Sequence, residues 1–462
     1  MISEINDEKY KDKEYIEKIR YDTSEMSQKS IKSIKSIKSK KIIKSIVSPA
    51  NNNSIILNSL GRTVMPQKKY NYKNNNNLDK KIIIFEDIIG SFKGSKNNYS
   101  AEFIKELKNQ YFISGGTDNT LKVFTKDLKP NENIPEIRDI KEWTYNICER
   151  SQFSNKESTT TQFITCSNRE IYLYDIDLYK GTFNTQKYEL PNMTCVNCIE
   201  MKTNHFAMIG LNGGLYFIDL FNSERQVRNI AITDKTFRGG IRISDNIIAL
   251  TSNRVALGGE DLLIFFNSEK KNKNNNNSYK KISREIEGYS FTLNTNGLAL
   301  MEMEKEKVKY KILICTCKKY LPGQKNGILL VNPQLDEYKK VVDDFYDTGE
   351  FEVYCICPLL QHSGGEWNIK TNYFLIGGFN NEKYIGQIKL YKVIPADKPC
   401  NTKIEFLQDI EFEKNDNFGG FEGPISCIIQ SSYYGNIIAT CYDGNIYKLS
   451  SPDLSFYMKN KK

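Results

Sequence analysis

Seven short apolar hairpins spread along most of the chain restrict its fold more than any other feature. The first runs from Tyr111 to Phe124: an apolar run, a Gly115-Gly116-Thr117-Asp118-Asn119 turn, then Leu121-Lys122-Val123-Phe124. Such a pair of runs around a glycine- and asparagine-bearing turn reads as two antiparallel strands. The second run returns at 171–174, 215–218, 263–266, 328–331, 388–391 and 446–449. The runs end at 124, 174, 218, 266, 331, 391 and 449, in steps of 50, 44, 48, 65, 60 and 58 residues. A supersecondary unit recurring near that period marks a propeller or a solenoid.

Each hairpin is flanked by two more strand candidates, so the unit has four strands. Inner strands are expected at 101–107, 145–149, 195–201, 240–244, 291–300, 351–359 and 424–430. Outer strands are expected at 134–140, 186–190, 226–232, 279–286, 338–342 and 403–410. That is one outer strand short. Ile82–Phe85, an apolar run ahead of the first unit, is placed to supply the missing strand from the other end of the chain. The result is a closed ring, which removes exposed sheet edges. The predicted fold is all-β: a seven-bladed β-propeller of four-stranded antiparallel blades over 81–462, preceded by a disordered basic segment over 1–80.

Charge separates the same two regions. Residues 1–81 carry 18 Lys/Arg against 9 Asp/Glu, whereas the remainder carries 47 of each. From Met26 to Leu78 there is no acidic residue, and the tandem Lys-Ser-Ile repeat of 29–41 lies inside. A three-residue period gathers isoleucines on one face of neither helix nor strand, so this stretch is expected to be disordered. No run approaches the roughly 18–20 apolar residues that span a bilayer. The first 25 residues hold no apolar signal core, which predicts a cytoplasmic or nuclear chain. Eleven scattered cysteines then read as reduced, small core residues. Cys148, Cys198, Cys357 and Cys427 recur at similar places in four units, which favours packing over metal binding, and no cofactor is expected.

The units resemble WD40 repeats over residues 82–451. Where that family ends its third strand in Trp-Asp, this chain has Phe124-Thr125, Tyr174-Asp175, Ile218-Asp219, Phe266-Asn267, Val331-Asn332, Tyr391-Lys392 and Leu449-Ser450. Two keep the Asp and none the Trp; the family's Gly-His pair is missing, since His205 follows Asn204 and His362 follows Gln361. The family's Asp–His–Ser/Thr–Trp network therefore has no counterpart, and the blades are expected to be held by packing alone. The resemblance implies a protein-interaction scaffold.

Neither histidine sits beside a Ser or Cys in a recognisable nucleophile motif, so no catalytic site is expected. Candidate partner-binding residues are Trp143, Phe237, Arg238, Tyr289 and Phe418, in loops expected to gather at one end of the ring. Exposed aromatics and arginine make binding hot spots; the alternative is that some merely cap the core. Phe237-Arg238-Gly239-Gly240 also resembles the Phe-Arg-Arg-Gly motif of phosphoinositide-binding propellers, with one arginine missing; a plain loop turning on two glycines is the simpler reading. In the tail, Lys29, Lys32, Lys35, Lys38, Lys40, Lys41 and Lys44 could attract an anionic membrane surface or nucleic acid. Ser30, Ser33, Ser36 and Ser39, interleaved among them, are candidate phosphorylation sites. A monomeric propeller with other proteins as partners is the expectation.

Overall fold

The computed structural model describes residues 82–457, less 93–99, 139–142, 154–155, 211–213, 220–226, 232–235, 254–261, 272–278, 287–288, 293–294, 306–307, 321–322, 334–341, 397–400, 411, 413–419 and 456, together with 56–57 and 63–64. Contacts divide the chain into Met1–Asp79 and Lys80–Lys462. In the first unit, Ile56–Leu57 pairs antiparallel with Thr63–Val64.

The second unit is a β-propeller built wholly from antiparallel ladders. Sheet one orders Ala101–Glu106, Phe112–Gly116, Leu121–Phe124 and Glu136–Ile137 from inside to outside. Sheets three, four and five repeat that order, beginning at Thr236, Leu298 and Phe351. Sheet six takes Ile425–Gln430, Ile437–Cys441 and Asn445–Leu449 from the end of the chain and Phe85–Ser91 from its beginning. Inner strands pack side by side around the ring, and 425–430 lies against both 351–363 and 101–106. Apolar residues such as Ile113, Val123, Phe163 and Tyr174 are buried between neighbouring sheets. Sheets covered on both faces need apolar residues on both faces of their middle strands.

Ring closure follows the sequence expectation, with a changed register. Residues 82–84 lie outside the strand; it starts at Phe85, with Leu449↔Phe85 and Asn445↔Ser91 as its limits. Ile82 and Ile83 are instead buried beneath the C-terminal segment. Ile84 N–H donates to Ser450 Oγ at 2.9 Å, and Asp453 N–H to Ile82 O at 3.1 Å.

Among the described residues of the second unit, six hydrogen-bonded sheets are present where seven were expected. Sheet two has seven strands, because Thr182–Lys202 is continuous. Its first half pairs with Asn168–Asp177 and its second half with His205–Gly210, so one strand is outermost in one ladder and innermost in the next. Pro191 falls in the unpaired stretch between Glu189 and Thr194, where its lack of an N–H costs no ladder bond.

The expectation of packing alone is overturned by a repeated polar latch. Glu106, Glu149, Glu200 and Gln430 hold matching positions near the lower ends of inner strands, opposite Phe112, Phe163, Phe206 and Ile437. Each accepts a backbone N–H from the preceding ladder: Ser432 at 2.8 Å, Lys108 at 2.9 Å, Ser151 at 3.0 Å and Leu360 at 2.6 Å respectively. Three carboxylates and one amide oxygen, each accepting from the backbone of a neighbouring ladder, tie adjacent ladders together.

Candidate interaction site at the upper end of the ring

The site begins with a defect in the ladders. In sheets one, three, five and six and in the second half of sheet two, the register skips one residue near the start of the inner strand: Glu102, Arg238, Tyr354, Ser426 and Val196. A bulge of this kind bends the strand and re-aims a side chain. All five lie toward the upper end, where inner strands begin and second strands finish.

In sheet four the same place holds a longer excursion. Thr292 N–H donates to Thr316 O, and Thr316 N–H donates to Gly297 O, so Thr295 and Asn296 lie outside the ladder. Asn296, at the end of that excursion, reaches across the ring. Its Nδ2 donates to Ser426 O at 3.2 Å and toward Glu102 O at 3.5 Å, while its carbonyl accepts from Ile356 N–H at 3.2 Å. Asn296 therefore ties sheet four to sheets five, six and one.

Above it lies a cluster of acids, tyrosines and one lysine drawn from four sheets. Lys318 Nζ sits 2.8 Å from Glu352 and donates to Tyr354 OH at 3.0 Å, over the faces of Tyr354 and Tyr320 at 5.0 and 5.5 Å. Tyr354 OH donates to Glu352 at 3.0 Å, as does Asn381 Nδ2. Burial would raise the Glu352 carboxyl, but Lys318 and these hydrogen bonds outweigh it and hold the group below the usual range. Glu102 differs. Burial raises it, and the hydrogen bonds from Ser100 and Tyr442 only partly offset that. Tyr442 meets Tyr354 edge-on at 6.0 Å, and burial pushes both phenols well above their ordinary values. All of these except Lys318 keep some exposed surface, as befits the wall of a funnel.

The residues singled out from sequence fare unequally. Trp143 is 37% exposed at this end. Tyr289 is partly buried and packs on Phe345 at 5.2 Å, so it mostly caps the core. Phe237 is completely buried, which corrects its reading as an exposed contact. The Phe237–Gly240 stretch is no loop either: it belongs to the inner strand Thr236–Arg242. Its glycines are required by packing, since a Cβ at Gly240 would lie 2.2 Å from Ile209 Cδ1. Arg238 is the bulged residue of that strand, and only its backbone is described. Phe418, the tail lysines at 29, 32, 35, 38, 40, 41 and 44, and the serines at 30, 33, 36 and 39 lie outside the described residues.

Sequence reasoning missed Glu102, Lys318, Tyr354 and Tyr442. They stand up to 340 positions apart, and only the ring assembles them. The excursion did leave a signal: Asn294-Thr295-Asn296-Gly297 is turn chemistry inside a stretch expected to be a strand. Cys148, Cys198, Cys357 and Cys427 are all buried, in three apolar clusters. Among the described residues no group of three or more His, Cys, Asp or Glu is placed to hold a metal ion. His205 stands 3.2 Å from Asp219, and His362 packs edge-on to Trp367.

No family model matches the chain, and no curated protein matches it by sequence. Solved structures do resemble it in fold. Raptor of Chaetomium thermophilum is 10% identical with a TM-score of 0.51, over 80% of this chain and 29% of that one. The β-propeller domain of Cps50 (Swd1) from Myceliophteria thermophila is 9% identical with a TM-score of 0.47, over 79% of this chain and 99% of that one. The Dos1 propeller is 11% identical with a TM-score of 0.45, over 76% and 77%. In fold, the body of this chain is a β-propeller of four-stranded antiparallel ladders.

Proposed function

We propose that this chain is a non-enzymatic interaction platform, a monomeric propeller of seven blades with the wide sheet counted as two, that receives a protein partner at its upper end. The observation that carries this reading is the set of inner-strand bulges, which turn residues of separate sheets toward one mouth. Trp143 and Tyr384, 37% and 61% exposed, stand on the same end and supply aromatic contact surface. The half-buried acids and the buried lysine of the mouth are held by hydrogen bonds and pairing, which suits recognition. Affinity capture with the full chain tests the idea against a Trp143→Ala/Tyr384→Ala variant and a lower-end control, Ile369→Ala. The rim variant is expected to lose partners that the control keeps; identical partner sets for all three would sink it.

A second reading concerns the tail. Seven lysines within 29–44 and no acid among them favour a salt-sensitive tether to anionic membrane or nucleic acid. Each phosphate on Ser30, Ser33, Ser36 or Ser39 would add about −1.5 to −2 charges, so four would cancel the local positive charge. Sedimentation of peptide 26–50 with anionic vesicles and with RNA, at low and physiological salt, is the test. Binding that ignores salt, or survives Asp at the four serines, contradicts it.

A further inference from the structure

We infer that Glu102 is the anchor point for a cationic side chain, lysine or arginine, presented by a protein partner at the mouth of the ring. The inference rests on the platform reading and names the chemistry that the platform recognises.

Two acids face this mouth, and their situations differ in one respect. Glu352 has its cation: Lys318 lies 2.8 Å away, seated over two tyrosine faces. Glu102 has hydrogen bonds from Ser100 Oγ, at 2.8 Å, and from Tyr442, but among the described residues no lysine, arginine or histidine pairs with it. A carboxylate taken out of water without a countercharge is costly to keep. Here the cost stands at a bulge that aims the residue at the mouth, with surface still open to solvent. A carboxyl held at such a cost while its side chain is still partly exposed marks a site.

The Lys318 seat shows what such a ligand requires: one carboxylate, one phenol oxygen and aromatic faces. Glu102 offers a carboxylate, and Tyr442 beside it offers a phenol ring whose edge meets Tyr354. A carboxylate repels anions, and among the described residues no group of three or more His, Cys, Asp or Glu is placed for a metal ion. An organic cation remains, and arginine or lysine at a partner's surface is its ordinary source.

Protonation of Glu102 should release the ligand. The groups bonded to Glu102 are Ser100 and Tyr442; Tyr442 in turn interacts with Tyr354, Tyr320 and Cys355, and Tyr354 bonds the Lys318–Glu352 pair. Tyr442 and Tyr354 are raised and stay neutral in acid, and Glu352 is lowered and stays charged. Glu102, raised above its ordinary 4.5, is thus the acid of the mouth that titrates first as pH falls.

The test is selection of random heptapeptides displayed on phage against immobilised full chain, wild type and Glu102→Gln, at pH 7.5. The best wild-type peptide is then remade with Lys, Arg, citrulline or Gln at the enriched basic position, and its binding followed by fluorescence polarisation down to pH 5. Wild type should select a basic residue, lose about tenfold in affinity when that residue is made neutral, and weaken as pH falls. Glu102→Gln should show neither dependence while unfolding at the same or a higher temperature, which shows that it is folded. A wild-type selection without basic enrichment, or equal binding by Glu102→Gln, overturns the anchor. If the rim variant nevertheless loses its partners, the platform reading survives without it.

Discussion

Glu106 and Gln430 do the same work with different chemistry, and that difference predicts how the latch responds to substitution and pH. Burial raises the Glu106 carboxyl, and the two bonds from Ser432 with the nearby Lys156 charge only partly restore it. A carboxyl whose folded value is raised weakens the native state when ionised. Its cost is therefore greatest at neutral pH and is relieved as pH falls through the raised value toward 4.5. Glu106→Gln, which copies the sixth sheet, should unfold at an equal or higher temperature at pH 7 and should flatten the pH dependence between pH 7 and 4.5. Glu106→Ala leaves the Ser432 N–H without its acceptor and should cost about 1–3 kcal/mol. Thermal unfolding from pH 4.5 to 7.5 reads both; equal melting of the alanine and glutamine variants would contradict the latch. This latch was invisible in the sequence. Glu106, Glu149 and Glu200 look like ordinary charged strand ends, and their partners lie one repeat away.

Strands with a clear alternation or a single apolar face were legible to the residue: 205–210, 279–286 and 403–410 are found where the pattern put them. Errors cluster where tertiary contacts override local pattern. Ile82 and Ile83 look like strand because they are apolar, yet they are buried as a plug and the strand follows them. Deleting 82–91 removes those groups, worth about 1.5–3 kcal/mol each, and the outer strand of sheet six. Against a margin of roughly 5–15 kcal/mol, the protein should become insoluble or fail to fold. A stable, soluble protein lacking 82–91 would refute closure. A second element-scale prediction concerns the long hairpin Phe351–Asn380, which leans over the lower end. Trp367 N–H donates to Ser432 O at 2.9 Å, and Lys156 Nζ lies 2.6 Å from Glu366. Gly435 has φ +73°, and a Cβ there would lie 2.0 Å from the Trp367 ring. Gly435→Ala should displace the hairpin, seen as faster proteolysis near Gly364-Gly365, with little effect on binding at the upper end.

For the whole molecule, charge and closure have separate consequences. The excess of basic over acidic residues lies ahead of residue 82, and the rest of the chain is balanced. Removing 1–79 should therefore leave the melting temperature of the propeller unchanged while abolishing any salt-dependent retention on anionic vesicles or RNA. A large drop in melting temperature would show that the tail supports the ring. Seven hairpins were legible because each is local; the mouth was not, because its residues meet only once the ring is shut. Closure also sets a schedule. The segment that completes sheet six is made first and its partner strand last, with Ile84 and Ser450 366 positions apart. At ordinary translation speeds of about 5–20 residues per second, the first strand must wait roughly 20–70 s for its neighbour. Throughout that interval the Phe85–Ser91 segment lacks the strand it pairs with, and an unpaired edge is a template for wrong pairing.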